Sequence, residues 1–221
     1  TYESVNSMTP GSLCAVRSLV VYKGELYAAG TLPQLGSTFP NNIAKWDSTT
    51  NDWVSVPDWI GNATGFIVDM VVFNDGSGEK LYVCGNYTNV NSLVGPASRW
   101  VARFDGTTWE ALGDGLTVSG TNYPRDIFVY DDGNGPALYA IGGLMNTVPS
   151  SGTSSSAMKW DGKRWSKIDG FRDDASVTAV TVNSSALYND GTGTTIYSQA
   201  RLFGNGAVSY THLRAHETLR Y

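Results

Sequence analysis

Short apolar runs recur along the chain in a fixed order, separated by polar residues and glycines. The first kind of run is almost wholly apolar, with copies at 19–22 (LVVY), 70–73 (MVVF) and 127–130 (IFVY). The second kind ends in glycine, with copies at 26–30 (LYAAG), 81–85 (LYVCG) and 138–143 (LYAIGG). Short runs rich in β-branched and aromatic residues predict β-strands. We expect the first strand to be covered on both faces, and the glycine of the second to mark a bulge or a close backbone approach.

Two further runs complete the pattern. The third alternates apolar and basic residues, which predicts a half-exposed strand, with copies at 43–46 (IAKW), 101–104 (VARF) and 157–160 (AMKW). The fourth carries a tryptophan, and Trp53, Trp109 and Trp165 are spaced by 56 residues each. Asp-Gly at 105–106 and at 161–162 predicts a tight hairpin between the third and fourth strands. The chain therefore repeats a unit of four short strands.

A four-stranded unit at this spacing is typical of a β-propeller, in which each repeat forms one blade. One twisted sheet cannot bury both of its faces, so the blades must stack on one another. The predicted fold class is an all-β propeller fragment that is incomplete at both ends. The propeller segment is 1–207, divided into 1–12 (last strand of a preceding blade), 13–66, 67–122 and 123–175 (blades) and 176–207 (partial blade). An open β-solenoid is the alternative, although its coils normally repeat at a shorter spacing.

Three longer stretches show a resemblance to a known group of proteins. FDGTTWEALGDGL, VYDDGNGPALYAIGG and MKWDGKRWSKIDG resemble the repeats of large secreted bacterial propeller proteins of a kelch-like or galactose-oxidase-like kind, found in planctomycetes and other environmental bacteria. The resemblance implies an extracellular or cell-surface location. Because the group has no agreed activity, no catalytic residues can be carried over from it to this chain. The chain departs from true kelch repeats, since its double glycine occurs only at Gly142-Gly143. No leader is visible and the chain does not begin with Met, so we expect a fragment or a removed leader.

The last segment, 208–221 (VSYTHLRAHETLRY), breaks the repeat. It resembles the peptide obtained when sequencing-adaptor DNA is translated, and a native C-terminal helix is the alternative. Both histidines of the chain, His212 and His216, lie in this segment. Residues 1–207 therefore cannot supply the imidazole of a Ser-His-Asp or Cys-His site, or the His ligands usual at zinc and copper sites. We expect no catalytic residue, no metal and no other cofactor.

Aspartates recur with the repeat, which favours a structural role because a catalytic residue is needed once. Asp47, Asp105 and Asp161 each follow the aromatic residue of the third strand, and with Trp53, Trp109 and Trp165 they form the predicted structural set. A sugar-stacking platform is the alternative for the tryptophans. The loops NDGSG (74–78) and DDGNG (131–135) resemble half of a calcium site, but a hairpin turn accounts for them better.

The net charge indicates which classes of partner to expect, and the positions of the cysteines indicate whether they form a disulfide. The net charge of −5 argues against nucleic acid, and no stretch approaches the length of a membrane span. Cys84 lies within a predicted strand, where we expect a buried free thiol; a bridge to Cys14 is the alternative.

The loops between the second and third strands vary between repeats, at 31–42, 86–100 and 143–156. In a propeller they crowd one rim, where binding residues are often found. Tyr87, Asn89, Asn91 and Trp100 are the candidate binding residues for a glycan or a protein loop, with ordinary solvated loops as the alternative. The sequence therefore favours a non-catalytic extracellular propeller scaffold that binds through rim loops. The alternative is a fragment of a carbohydrate-active propeller enzyme that uses carboxylates.

Overall fold

The computed structural model describes residues 14–38, 40–57, 65–87, 100–118, 122–148, 154–168, 180–189 and 194–202. Within these ranges the chain is all-β, with fifteen strands and no helix. None of the described residues belongs to a helix long and apolar enough to cross a bilayer. The predicted strand of a preceding blade (1–12) and the predicted non-native tail (208–221) lie outside the described residues.

The strands form four antiparallel sheets that follow one another along the chain, and we name them Sheets I to IV. Sheet I contains β1 (Ala15–Tyr22), β2 (Glu25–Thr31), β3 (Ile43–Asp47) and β4 (Asp52–Ser55). Sheet II contains β5 (Phe66–Asn74), β6 (Glu79–Asn86), β7 (Val101–Phe104) and β8 (Trp109–Ala111). Sheet III contains β10 (Pro124–Asp131), β11 (Pro136–Thr147), β12 (Ser155–Trp160) and β13 (Trp165–Lys167), and β9 (Leu116–Val118) pairs with the end of β11. Sheet IV contains β14 (Val180–Asn189) and β15 (Thr194–Leu202).

Apart from β9, consecutive strands pair as neighbours in each sheet, so each sheet is a meander. The first two strands carry a β-bulge at the same place in Sheets I, II and III. There, Gly30, Gly85 and Gly142 pair with the residue before the bulge, and a Cβ on any of them would strike the backbone of the first strand. The prediction that these glycines mark a bulge with a close backbone approach is confirmed.

The sheets pack face to face in chain order, with β1 against β5, β5 against β10, and β10 against β14. Alternate residues of one strand enter two different cores. On β6, Leu81 and Val83 belong to the core between Sheets I and II, whereas Tyr82 and Cys84 belong to the core between Sheets II and III. The apolar run of each second strand therefore reflects burial on both faces.

The first strands differ in exposure according to their place in the stack. Met70 on β5 and Ile127 on β10 are 6% and 2% exposed because a preceding sheet covers them. Leu19, at the matching position of β1, is 60% exposed, because no described sheet packs in front of Sheet I. The expectation that every first strand is covered on both faces is therefore wrong for β1.

The two cysteines are separate free thiols. Cys84 is fully buried on β6, as the sequence predicted, and burial raises the pKa of its thiol well above the ordinary value. Cys14 is half-buried, and its Sγ lies 3.4 Å from the carbonyl oxygen of Gln34.

Candidate functional site

The predicted rim-binding residues take different places in the structure. Tyr87 is 1% exposed, and its hydroxyl donates a hydrogen bond to the carbonyl oxygen of Val83 at 3.1 Å, so its ring is part of the core between Sheets I and II. Trp100 is half-buried just before β7, with a φ of 74° that is uncommon for a bulky residue. Asn89 and Asn91 lie outside the described residues. The structure thus places one of the four in the interior, and a binding role for the others stays a prediction.

The three repeated aspartates cap hairpin turns. Asp105 accepts hydrogen bonds from the backbone amides of Thr107 and Thr108, at 2.7 and 2.8 Å. Asp161 accepts them from the amides of the two residues at the matching turn positions, and Asp47 accepts one from the amide of Thr49. These bonds stabilise the charged carboxylate, so the pKa of each of the three groups is lowered. Each of these carboxylates therefore has a structural role in its turn.

The three repeated tryptophans occupy one position in three sheets. Each is buried and lies directly across from the aromatic residue of the third strand, as Trp46–Trp53, Phe104–Trp109 and Trp160–Trp165. The ring centroids of these pairs are 5.5, 4.8 and 5.4 Å apart. Trp109 contributes to the core shared with Sheet I, and Trp165 to the core shared with Sheet II. The burial of all three leaves little ring surface for stacking on a sugar.

A group of tyrosine, cation and acid recurs on the second and third strands. Each tyrosine lies across from the cation, and the cation forms a salt bridge with the acid. The groups are Tyr27, Lys45 and Glu25; Tyr82, Arg103 and Asp75; and Tyr139, Lys159 and Asp132. Burial opposes ionisation of Asp75, but hydrogen bonds from Ser77 and the charge of Arg103 outweigh it and lower the pKa of Asp75 to about 2. The aspartate at the second position of each of these two loops, Asp75 or Asp132, therefore belongs to an ion pair as well as to a turn.

Three polar residues on the first strands form what we call the inner polar row: Ser18, Asp69 and Asp126. Each follows the β-bulge of its strand. The side-chain oxygen of each accepts a hydrogen bond from a backbone amide of the next sheet. The donors are Met70 at 3.2 Å, Ile127 at 3.3 Å and Ser185 at 2.7 Å, respectively. The same bond thus joins Sheets I to II, II to III and III to IV.

Asp69 and Asp126 bring two carboxylates together on neighbouring first strands. Burial raises the pKa of Asp69 to about 6, and the nearby carboxyl of Asp126 acts in the same direction. The Ser18 hydroxyl donates to Asp69 at 2.9 Å and opposes part of this effect, because the bond favours the charged form. The raised pKa means that Asp69 keeps its proton to a higher pH than an exposed aspartate does.

Sequence reasoning did not find the inner polar row. Its members stand one residue before the apolar runs at 19–22, 70–73 and 127–130, so the signal was a polar residue at one fixed place in each repeat. Among the described residues, no three His, Cys, Asp or Glu side chains are grouped so that they could hold a metal ion.

Comparison with known proteins does not assign the chain to a family. No protein-family model matches the chain, and no curated protein matches it.

Proposed function

We propose that the chain is part of an extracellular β-propeller that binds a protein or a glycan through its rim loops and has no catalytic role. The observation that carries the proposal is the recurrence of one inter-sheet hydrogen bond at three successive interfaces along the inner polar row. A recurring interface between successive sheets is the arrangement that a propeller requires. The resemblance of the repeats to secreted bacterial propeller proteins supports the extracellular location.

The use of the repeated polar groups supports a scaffold. The aspartates Asp47, Asp105 and Asp161 cap turns, and the tryptophans fill cores. The loops that follow β2, β6 and β11 differ in sequence, and they all connect the second and third strands of a sheet. Because the sheets are equivalent, these loops are expected on one side of the stack, where a partner can contact several of them at once.

The alternative function is hydrolysis of a carbohydrate, and the carboxylate pair Asp69 and Asp126 favours it. One group holds its proton up to a pH of about 6, and a second carboxylate stands beside it. Glycosidases use such a pair as acid and base or nucleophile. Both groups also accept structural hydrogen bonds across sheets, which accounts for their position without catalysis.

A glycan array combined with a reducing-sugar assay separates the two functions. We expect binding without turnover, and loss of binding when residues 88–99 or 149–153 are replaced by Gly-Ser segments of equal length. Asp69→Asn and Asp126→Asn should leave binding unchanged. Turnover that either substitution abolishes would support the enzyme instead, and binding that survives both loop replacements would overturn the rim-loop proposal.

A further inference from the structure

Sheet III carries a cluster of cations, although the chain as a whole is acidic. The chain carries 15 Lys and Arg against 20 Asp and Glu. Residues 157–167 nevertheless hold four cations, Lys159, Lys163, Arg164 and Lys167, with Asp161 as the one acid. Lys159 forms a salt bridge with Asp132 as part of the repeated group. The other three cations are not accounted for by that group.

These three cations line a cleft at the outer edge of Sheet III, which we call the β13 cleft. Its walls are β13 with the preceding turn, the end of β11, and the loop between β8 and β9 from Sheet II. The lining residues are Asp114, Thr147, Val148, Lys163, Arg164, Trp165, Ser166 and Lys167. The β8–β9 loop passes so close that a Cβ on Gly113 would lie 3.0 Å from the carbonyl oxygen of Lys163.

Comparison between sheets shows that the fold does not require these cations. The turn positions of Lys163 and Arg164 are Thr107 and Thr108 in Sheet II, and the position of Lys167 is Ala111. Sheet II forms the same hairpin, with the same aspartate cap and aromatic pair, without a cation at any of them. Features that recur serve the architecture, and the cations that Sheet III carries and Sheet II lacks are not needed for the hairpin.

The cations of the turn are exposed. The carboxylate of Asp161 accepts hydrogen bonds from the backbone amides of Lys163 and Arg164, and neither side chain forms a salt bridge with a described residue. Asp114, on the facing loop, is exposed as well. With three cations and one acid, the lining of the cleft carries a net positive charge.

The indole of Trp165 differs from its counterpart in Sheet II. The Nε1 of Trp109 donates to the carbonyl oxygen of Pro57 in the preceding repeat at 3.1 Å. The Nε1 of Trp165, which lines the β13 cleft, is buried without an acceptor among the described residues. A buried donor without a partner is costly, so the hairpin of Sheet III is less well satisfied at this position than that of Sheet II.

We propose that the β13 cleft binds an anionic polysaccharide whose sugars carry carboxylate or sulfate groups. Lys163 and Arg164 lie in the turn before β13 and Lys167 lies at the end of the strand, so the cations of the lining are spread over the turn and the strand and suit an extended ligand with several charges. Arg164 can hold a planar or tetrahedral anion through two donors. Thr147 and Ser166 add hydroxyls. The tryptophan is buried, so the cleft lacks the exposed apolar anchor on which peptide interfaces depend.

The proposal rests on the proposed binding function and names the ligand class for one edge of the stack. The test measures affinity for alginate, dextran sulfate, neutral dextran and polyglutamate by biolayer interferometry. We expect alginate or dextran sulfate to bind, with several-fold weakening between about 0.05 and 0.3 M salt because the contacts are exposed charges. Lys163→Gln/Arg164→Gln should weaken binding about tenfold. Asp114→Asn should strengthen it about twofold, since it removes the opposing charge.

The control is Lys23→Gln/Lys45→Gln, which makes the same change in net charge on Sheet I. It should alter the affinity by less than about twofold. Equal weakening by the two double variants, equal binding of neutral dextran, or failure to bind either polyanionic glycan would overturn the inference. Tighter binding of polyglutamate would assign the cleft to an acidic protein and would also overturn it. Array binding that depends on the loops at 88–99 and 149–153 but not on Lys163 and Arg164 would overturn the cleft alone and leave the proposed function standing.

Discussion

At the scale of single residues, the most consequential group is the carboxyl of Asp69. Most aspartates whose pKa is shifted in this chain have it lowered, because turn amides or cations stabilise the charge. Asp69 is shifted the other way, with its pKa raised from 3.8 to about 6 by burial and by Asp126. Folding therefore favours its protonated form, and the contribution of Asp69 to stability falls as the pH rises through this interval.

Asparagine does not ionise, so Asp69→Asn removes the pH-dependent contribution of this residue to stability. A shift of this size corresponds to about 2 kcal/mol for a partly buried carboxyl. In urea denaturation, the unfolding free energy of Asp69→Asn minus that of the unmodified chain should therefore increase by about that amount from pH 4 to pH 7.

Asp47→Asn is the control for that measurement, because the pKa of Asp47 is shifted in the opposite direction to that of Asp69. Hydrogen bonds from the turn lower the pKa of Asp47, so its contribution is present above the unfolded-state pKa and is lost as the pH falls. The relative stability of Asp47→Asn should therefore change little between pH 4 and pH 7, and it should rise as the pH falls below about 4, where the unmodified chain loses this contribution. The same trend in both variants would contradict the assignment of a raised pKa to Asp69.

Gly85 offers a second test at this scale. A Cβ there would strike the backbone of β5 at the bulge, whereas a Cβ on Gly24 meets no atom within 4 Å. Gly24 has a φ of 77°, so alanine costs about 1 kcal/mol there through backbone strain alone. Gly85→Ala should cost about 2–4 kcal/mol in chemical denaturation. Equal losses at the two positions would show that β5 moves away without cost.

At the scale of strands and hairpins, the third and fourth strands act as one unit. The Asp cap, the tight turn and the aromatic pair recur in Sheets II and III with the same hydrogen bonds. The two units differ at the indole nitrogen, since Trp109 donates to the carbonyl oxygen of Pro57 and Trp165 has no acceptor among the residues that the structure describes.

This difference allows a matched pair of substitutions. Trp109→Phe and Trp165→Phe remove similar ring volume from similar cores, but only the first breaks a hydrogen bond. We expect Trp109→Phe to cost about 1 kcal/mol more in thermal or urea unfolding. A larger loss for Trp165→Phe would mean that its nitrogen has a partner that the described residues do not show.

The strands themselves could be predicted because their signals are local. Apolar runs, turn residues and the glycine of the second strand identify each element within a few residues of sequence. The inner polar row could not be predicted in this way, because Asp69 and Ile127 are 58 residues apart along the chain and meet only when two sheets pack. Tyr87 illustrates the same limit, since an aromatic residue just past a strand carries no local sign that its ring turns into the core.

At the scale of the whole molecule, stability comes from the interfaces between sheets. Two recurring kinds of hydrogen bond contribute to these interfaces besides the apolar cores. One is the bond of the inner polar row, and the other joins a first-strand tyrosine to the carbonyl that opens the second strand of the next sheet, from Tyr22 to Glu79 and from Tyr130 to Thr194. In a stack of this kind each sheet is stabilised by its neighbours. A substitution should therefore cost more stability in a sheet that lies between two others than in a sheet at the end of the stack.

Matching positions in Sheets I and III test this dependence. Leu19 and Ile127 occupy equivalent places, yet they are 60% and 2% exposed. In this chain, Leu19→Ser should change the free energy of unfolding by less than about 0.5 kcal/mol, whereas Ile127→Ser should cost about 3 kcal/mol or more. Chemical denaturation of both variants gives the comparison. A comparable loss at Leu19 would show that another part of the chain covers β1.

The inner polar row also affects how a chain of this kind can gain further repeats. In each of its bonds the donor is a main-chain amide, which every copy of the repeat presents whatever side chains it carries. Serine and aspartate serve equally as the acceptor. A duplicated unit can therefore form this bond with any neighbour, provided that it keeps one short polar side chain at this place.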